Sequence, residues 1–453
     1  MKLENNLGED PIGKLVMRLA IPSMFAQFVS VLYSIVDRMF IGNIKEIGEV
    51  ALAGVGVCGP IVTLLSSFAA LIGIGGAPLM SMKMGAKDEK GAEKILANCF
   101  LMLLVISGVL MAVAFLLKEQ MLWWFGAGER TFSYANEYIT IYLMGTVFAI
   151  LTVGMNQFII CQGFAKVGMI SVLIGAVCNI ILDPICIFVF HMGVKGGAFA
   201  TILSQMASCI FVLQFLFSKK VPIRITFGGY HKNIMKRVLT LGFTPFIIIA
   251  FDNILIISLN AILQKYGGVK GDMLLTCGTI VQSFMLLVTM PLGGITGGTQ
   301  AILAYNYGAG NTERIKKAEK YIAAYALVFT GILFLAAQII PEYFVKIFTQ
   351  NETYISLTVW AIRVYTLGII PLALQYTIVD GFTGMGIANL AISLSFFRKG
   401  LYFLGIFLIP VFFPIENVFF TEPITDIISA MVSTIIYFSF IGKILRKRNI
   451  TGM

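Results

Sequence analysis

The sequence predicts an all-α membrane protein in which twelve transmembrane helices form two pseudo-symmetric six-helix lobes. Three observations predict this fold class: an apolar and weakly charged composition, twelve long apolar segments, and a repeat that relates the two halves of the chain. Of the 453 residues, 58% are hydrophobic and only 12% are charged, whereas soluble globular domains are roughly 45–50% apolar and about 25% charged. The composition therefore excludes an ordinary soluble enzyme, a disordered chain and a disulfide-stapled secreted domain.

Each of the twelve segments is long enough to cross the bilayer core, which takes about 20 helical residues. In chain order these spans are residues 14–41, 51–81, 95–117, 133–160, 167–190, 196–217, 238–264, 273–304, 321–341, 353–380, 388–413 and 417–442. A polar stretch at residues 218–237 separates the first six spans from the last six. We therefore expect an N-terminal lobe at residues 1–217, a cytoplasmic inter-lobe loop at 218–237 and a C-terminal lobe at 238–453.

The basic charge is unevenly distributed over the predicted loops. Lys and Arg number 33 against 23 Asp and Glu. The loops on the side of the two termini hold roughly three times as many basic residues as the opposite loops, which is the positive-inside pattern. The pattern predicts a multi-pass protein of a bacterial plasma membrane with both termini in the cytoplasm. It also explains the net charge of +10 without a nucleic-acid partner.

The cysteines, the histidines and the short motifs of the sequence do not indicate a catalytic site or a metal site. All seven cysteines lie in apolar segments without C-x-x-C spacing, which is typical of reduced core residues. The two histidines, His191 and His231, lie at a span end and in the central loop. The sequence contains no H-E-x-x-H, G-x-S-x-G or phosphate-binding G-x-x-x-x-G-K-[ST] motif. We therefore expect a protein that is not an enzyme and has no cofactor; an intramembrane enzyme is the alternative from a different class.

Matching residues recur in the two halves at one shared spacing. The pairs are Pro22 and Pro245, Asp37 and Asn260, Gly85 and Gly308, Tyr142 and Tyr365, and Gly145 and Gly368. Two sets of six spans from one duplicated unit are typical of secondary transporters, whose lobes rock about a substrate held between them. Because each half has six spans, the repeats share one orientation and are related by an axis along the membrane normal.

Several segments resemble the multidrug and toxic compound extrusion (MATE) family, in particular its MepA-like branch. They are residues 7–24, 31–42, 179–205, 297–310 and 419–426. The resemblance implies the MATE fold of the MOP superfamily and secondary active multidrug efflux, with antibiotic resistance as its consequence. Cationic or amphiphilic drugs would be exported from the bilayer-embedded protein, expected to be a monomer, by alternating access and antiport with Na⁺ or H⁺.

Acidic residues inside the spans are candidate functional groups independently of the resemblance, because Asp costs about 2.5–3.5 kcal/mol at the centre of a membrane helix. Asp37, Asp183 and Asp252 lie well inside predicted spans. Asn179 lies one helical turn before Asp183 and shares its face, and Pro184 follows at once. Carboxylate and amide oxygens suit a small hard cation, whereas a buried carboxylate can also carry a proton. The residues alone therefore do not decide between a small cation and a proton.

The resemblance implies that the cation-coupling site consists of Asp37, Asn179, Asp183 and Thr201, which would hold Na⁺ or accept a proton. The alternative is a hydrogen-bond network that only fixes helix packing. Arg38 departs from the family pattern, which has an uncharged residue there. Adjacent helical positions point about 100° apart, so we expect Arg38 to extend toward the membrane surface instead of neutralising Asp37.

A drug cavity should be apolar and adaptable, and Met supplies flexible contact surface. We expect the cavity to be lined by Phe148, Met155, Gln157, Asp252, Gln282, Met285 and Met290. Ordinary helix or lipid contact is the alternative for each. We expect the buried cations Arg363, Arg398 and Lys399 to pair with Asp380 or with backbone carbonyls. The nearest competing function is a lipid-linked precursor flippase of the same superfamily, which often has two further helices and a strongly cationic cavity.

Overall fold

The computed structural model describes residues 5–45, 47–125 and 127–451. The outer ends of the two predicted lobes, residues 1–4 and 452–453, lie outside the described residues. The N-terminal half contains α1 Ile12–Gly42, α2 Gly48–Gly85, α3 Glu89–Trp124, α4 Glu129–Met144, α5 Thr146–Ile160, α6 Ala165–Pro184 and α7 Val194–Phe217. A π-helical turn, Ile185–Val189, extends α6 beyond its proline.

The C-terminal half follows the same plan. It contains α8 Lys232–Gly267, α9 Gly271–Gly308, α10 Thr312–Ile339, α11 Pro341–Val345, α12 Glu352–Tyr365, α13 Ile369–Gly384, α14 Ala388–Phe412 and α15 Thr421–Thr451. Short 3₁₀ segments lie at Gly268–Lys270, Thr366–Gly368 and Ile415–Phe420. Within the described residues, 11 helices are long and apolar enough to cross a membrane, and the bent pair α4 and α5 raises the number to 12. The prediction of twelve spans in an all-α fold is confirmed.

The breaks within spans 4 and 10 fall at matching glycines of the two repeats. The chain bends by 57° between α4 and α5, at Gly145, where an added Cβ would lie 2.5 Å from Ile202 of α7. In the second half a 3₁₀ turn ending at Gly368 separates α12 from α13, and an added Cβ there would lie 2.7 Å from Pro423 of α15. Both breaks therefore coincide with close approach of the last helix of the same lobe.

The two lobes are joined where α2 crosses α9. An added Cβ on Gly85 would lie 1.9 Å from the Tyr305 carbonyl oxygen, and one on Gly308 would lie 1.9 Å from the Met82 carbonyl oxygen. Met82 and Tyr305 have the same spacing as the two glycines, so the contact is reciprocal about the pseudo-two-fold axis. Ser81 Oγ adds a hydrogen bond to the Ala301 carbonyl oxygen at 3.1 Å.

The hydrophobic cores show that the lobes are joined at one end only. One core cluster contains residues of both lobes, including Leu15 and Leu19 of α1 and Ile302 of α9. At the opposite end, among the described residues, each lobe has a core of its own, around Ile41 in the first lobe and around Leu259 in the second. We call these the closed end and the open end.

The segment between the lobes is anchored at the closed end. The backbone N–H of Ile223 donates to Gln162 Oε1 at 2.9 Å, and that of His231 donates to Asn98 Oδ1 at 2.9 Å. The N-terminal segment reaches the other lobe, because the Leu7 carbonyl accepts from Asn306 Nδ2 at 3.0 Å. The closed end is therefore the end that carries the N-terminal segment and the inter-lobe segment.

A candidate cation site in the N-terminal lobe

The structure brings the four predicted coupling residues together from three helices. Asp37 lies on α1, Asn179 and Asp183 on α6, and Thr201 on α7. Asn179 Nδ2 donates to Asp183 Oδ1 at 3.1 Å and to Thr201 Oγ1 at 3.4 Å. The carboxyl groups of Asp37 and Asp183 face each other within hydrogen-bonding range. The four residues thus form one connected polar group inside the lobe.

Several oxygens of this group have no protein partner. Asp37 Oδ1, Asn179 Oδ1 and Asp183 Oδ2 are buried and accept no hydrogen bond from the described residues. No described Lys or Arg forms an ion pair with either carboxylate; Arg38, the next residue on α1, is exposed and attracts Asp37 without an ion pair. Two facing carboxylates cannot both be ionised cheaply without a counter-charge. The arrangement is therefore suited to an incoming proton or small cation.

The donor set consists of oxygen ligands, which suit a hard cation and not a transition metal. Within the described residues there is no group of three or more His, Cys, Asp and Glu side chains that could hold a metal ion. The N-lobe group offers two carboxylates together with amide and hydroxyl oxygens. Oxygen-only ligands are those of hard cations, and the two acids can supply up to two negative charges.

The helix that supplies most of the site is irregular at this point. Asp183 lies in the last turn of α6, directly before Pro184, and the helix continues as the π-helical turn Ile185–Val189. Proline removes a backbone donor from the helix, and single π-helical turns are frequent at functional sites. An added Cβ on Gly196 of α7 would lie 2.7 Å from Cys186, so the π turn packs tightly against α7.

Two tyrosines around the site were not predicted. Tyr138 and Tyr142 lie one turn apart on α4, with their rings stacked at 6.2 Å. The Tyr138 hydroxyl is within hydrogen-bonding range of Thr201, and Gln205 Nε2 donates to the Tyr142 hydroxyl at 3.4 Å. The i, i+4 spacing and the repeat of Tyr142 at Tyr365 were the available signals, but tyrosines are common in apolar cores, so the spacing alone did not single them out.

The predicted cavity residues lie in different surroundings. Met155 is fully buried in the core shared by both lobes, and Met285 is buried in the core of the C-terminal lobe. Phe148, Gln157 and Gln282 are half-buried and Met290 is exposed. Gln157 lines a small cleft between the lobes with Gly297 and Gln300. The structure therefore does not gather these residues in one pocket.

The expected partners of the buried cations were wrong for Arg398 and Lys399. Arg398 Nε lies 2.8 Å from Asp426 Oδ1, and its Nη2 lies 2.7 Å from Glu422 Oε1. Lys399 pairs with Asp252, which is the one predicted cavity residue not described above. Asp380 instead accepts from Thr296 and from Gln300. The reason is geometric: α15 places two acids one turn apart against α14, whereas Asp380 on α13 faces α9. The third cation, Arg363, is exposed.

The amino-acid sequence of the chain matches a known protein family. A family model described as MatE matches residues 22–185 and 249–411, once in each half of the chain. The multidrug export protein MepA of Staphylococcus haemolyticus (strain JCSC1435) is 26% identical over 360 residues, covering 79% of this chain and 78% of that protein. MepA of Staphylococcus aureus (strain MRSA252) is 24% identical over 358 residues, with the same coverage of 79% and 78%.

Solved structures share the fold over almost the whole chain. One is an outward-facing conformation of a multidrug resistance MATE family transporter of the MOP superfamily, with a TM-score of 0.89 and 21% identity, covering 97% of this chain and 98% of that one. Another is a MOP superfamily transporter from Pyrococcus furiosus Vc1 (DSM3638), with a TM-score of 0.90 and 22% identity at the same coverage. The predicted MATE fold is confirmed.

Proposed function

This chain belongs to the MatE family, and we propose that it is a secondary active multidrug exporter of a bacterial plasma membrane, expelling cationic or amphiphilic compounds by antiport with Na⁺ or H⁺. The observation that carries the proposal is the facing pair of the half-buried Asp37 and the fully buried Asp183, set in an apolar helix bundle without an ion-paired base among the described residues. The MepA relatives are named multidrug export proteins, which supports the substrate class. The lipid-linked precursor flippase is less favoured, because these relatives are named exporters of drugs and not of lipids.

The site is connected mechanically to the lobe interface through α1. Asp37 lies in the outer part of α1, whereas Met24 lies near its middle, and an added Cβ on Gly294 of α9 would lie 2.7 Å from the Met24 Cα. A proton or cation bound between Asp37 and Asp183 removes the repulsion between their carboxylates and draws α1 toward α6. Because α1 also packs on α9, a change in its shape alters the contact between the lobes. Ion occupancy can thereby bias the alternating-access equilibrium.

The closed end corresponds to the cytoplasmic side in this proposal. Basic residues concentrate in the loops at that end, which matches the positive-inside pattern. Both termini are then cytoplasmic, and the space between the separate cores of the two lobes opens outward. In this conformation a substrate leaves to the outside while an external Na⁺ or proton has access to the N-lobe site.

The decisive experiment measures drug transport in proteoliposomes with Na⁺ and H⁺ gradients imposed separately. We expect the wild type to move ethidium against its gradient with at least one of the two ions. Asp183→Asn removes the central carboxylate and nearly preserves its shape, so gradient-driven transport should be lost while reconstitution is normal. Glu313→Gln is the matched control, because the Glu313 side chain is 87% exposed.

Wild-type rates in Asp183→Asn would overturn the assignment of the N-lobe site. Lipid scrambling by the wild type without any ion-driven ethidium transport would instead favour the flippase.

A further inference from the structure

The N-terminal segment, residues 5–11, crosses from the first lobe to the second and back at the closed end. Asn5 Nδ2 donates to the Gly163 carbonyl oxygen at 2.8 Å, in the turn between α5 and α6. The next residues contact α9 and α10 of the C-terminal lobe, and the segment then runs directly into α1, which begins at Ile12. Both ends of the segment are therefore fixed on the N-terminal lobe, whereas its middle is held by the other lobe.

Asn306 of α9 and Arg314 of α10 hold the middle of the segment through its backbone. The Leu7 carbonyl oxygen accepts from Asn306 Nδ2 at 3.0 Å and from Arg314 Nη2 at 3.2 Å. Arg314 Nη2 also donates to the Asp10 carbonyl oxygen at 2.9 Å, and its Nε donates to Asn306 Oδ1 at 3.0 Å. Hydrogen bonds from an ionised donor are roughly twice as strong as those between neutral groups. Arg314 thus binds two carbonyl groups of the segment and orients the asparagine that binds one of them.

The segment also contributes apolar packing at the closed end. The Leu7 side chain is 4% exposed and belongs to the hydrophobic core that both lobes share, together with Ile302. Gly8 lies against Tyr305, since an added Cβ there would be 2.9 Å from the Tyr305 ring. Tyr305 is also the residue whose carbonyl oxygen Gly85 approaches where α2 crosses α9. The segment therefore lies directly beside the crossing of the two lobes.

The position of this segment in the second repeat is occupied by residues 228–233, where the inter-lobe segment enters α8. Asn98 of α3 donates to the Gly229 carbonyl oxygen at 3.1 Å and accepts from the His231 N–H at 2.9 Å. Each repeat is thus preceded by a segment that the opposite lobe binds. The inter-lobe segment is covalently attached to both lobes, whereas the N-terminal segment is attached to one. The N-terminal segment can therefore separate from the lobe that binds it when the closed end opens.

We propose that residues 5–11 form a releasable latch, which holds the closed end shut by binding to Arg314 and Asn306 across the lobe interface. Alternating access requires the lobes to separate at this end. Separation breaks the hydrogen bonds to Leu7 and Asp10, because both ends of the segment stay with the N-terminal lobe. The latch thereby stabilises the conformation that is closed at this end and sets how often the opposite conformation is reached. The inference rests on the proposed export function and gives its conformational cycle a control element.

The test measures how often the closed end opens in the purified full chain in detergent. Ser81 is fully buried at the lobe crossing, where it donates to the Ala301 carbonyl oxygen. In an otherwise cysteine-free background, the reaction of the Ser81→Cys variant with a water-soluble maleimide is limited by the fraction of molecules that are open. A second background keeps only Cys277, which is buried within the C-terminal lobe on α9, and reports general loosening of the fold.

Arg314→Gln removes the ionised donor of the latch. We expect it to raise the reaction rate of the Ser81→Cys reporter about tenfold, which corresponds to the loss of about 1.4 kcal/mol of latch binding. The rate at Cys277 should not change. Arg130→Gln is the matched control, since Arg130 is exposed in the first turn of α4, and it should leave both rates at their wild-type values.

Gly8→Val covers the case in which Arg314→Gln folds poorly. It forces the segment away from Tyr305 without changing the C-terminal lobe, so it should also raise the rate of the Ser81→Cys reporter. Wild-type rates in both variants, or a parallel rise at Cys277, would overturn the proposal, because the segment would then be only an anchor of the fold. A selective rise at the Ser81→Cys reporter in a protein that transports no drug would support the latch and count against the export function alone.

Discussion

The two lobes place polar groups on equivalent helices but treat buried charge in opposite ways. In the first lobe, Asp37 and Asp183 face each other without a basic partner among the described residues. In the second lobe, Arg398 is paired with Glu422 and Asp426, and Lys399 is paired with Asp252. An acid pair without a counter-charge can respond to a proton or cation, whereas acids that are already paired with Arg398 or Lys399 have their charge balanced within the lobe. The comparison indicates that duplication preserved the helix positions and left the chemistry of each half free to diverge.

The largest effect is expected from Arg398→Met. The variant leaves Glu422 and Asp426 buried without their shared cation, and breaking a buried ion pair in this way costs about 3–5 kcal/mol. We expect a marked loss of stability in thermal and denaturant unfolding of the protein in detergent. Adding Glu422→Gln and Asp426→Asn to Arg398→Met should recover most of the loss, because the buried charges are then removed together.

For a substitution in the N-lobe site we expect the opposite result in the same unfolding assay. Asp183→Asn removes a charge that has no counter-charge, so it should lose no stability even though ion-driven transport is lost. An Asp183→Asn variant as unstable as Arg398→Met would contradict the contrast between the lobes.

A smaller loss of stability is expected from substitutions at the glycine contacts between α2 and α9, where the two lobes are alike. Gly85→Ala and Gly308→Ala each place a methyl group against a backbone carbonyl of the other lobe, and such overpacking costs typically 1–3 kcal/mol. Because the contact is reciprocal, both variants should open the closed end to a similar extent. Electron–electron distances between spin labels at residues 90 and 313, in a cysteine-free background, would report the separation.

Gly331→Ala is the matched control for this pair, since nothing lies within 4 Å of a Cβ added there. A distance shift in only one of the two interface variants would show that the closed end is not symmetric in energy.

The smallest effect concerns the first turn of α3 and its counterpart α10. Asp88 accepts from the Gly91 N–H at 2.8 Å, and Asn311 at the matching position accepts from the Arg314 N–H at 3.2 Å. Asp88→Ala and Asn311→Ala should each cost about 1 kcal/mol of stability at neutral pH. The hydrogen bond from Lys83 holds the pKa of Asp88 below its usual value.

The contribution of Asp88 is therefore present at neutral pH and is lost as the pH falls through its lowered pKa, below the usual range of an Asp side chain. The effect of Asp88→Ala on the melting temperature should shrink in acid, whereas that of Asn311→Ala should not. Equal behaviour of the two variants at low pH would exclude a charged cap at Asp88.

Much of the fold could be predicted, because span length and apolar composition are local properties that need no knowledge of neighbours. The repeat was visible through residues such as Gly145 and Gly368, whose backbones are approached closely by other helices. The 57° bend at Gly145 was not predicted, since it coincides with contact to Ile202, far away in sequence. Likewise, the residues around Pro184 do not by themselves predict that α6 continues as a π-helical turn.

The site was predictable in part for a related reason. Asp37 and Asp183 were identified because a carboxylate in a span is costly, and Thr201 because the chain resembles a family. The partners of Arg398 were predicted wrongly, since the sequence does not tell which neighbouring helix a side chain of α14 faces. Tyr138 was missed because tyrosine is as common in packed cores as in binding sites.

The crossing at Gly85 and Gly308 has the form of an isologous interface. In such an interface residue i of one copy contacts residue j of the other, and j contacts i. Here Gly85 approaches Tyr305, and Gly308 approaches Met82, which is the residue of the first half equivalent to Tyr305. A single six-helix ancestor could therefore have formed this surface as a homodimer, before any fusion of the genes. Fusion freed the halves from identity, since a substitution in one no longer appeared in the other, and an acidic half could then evolve beside an ion-paired one.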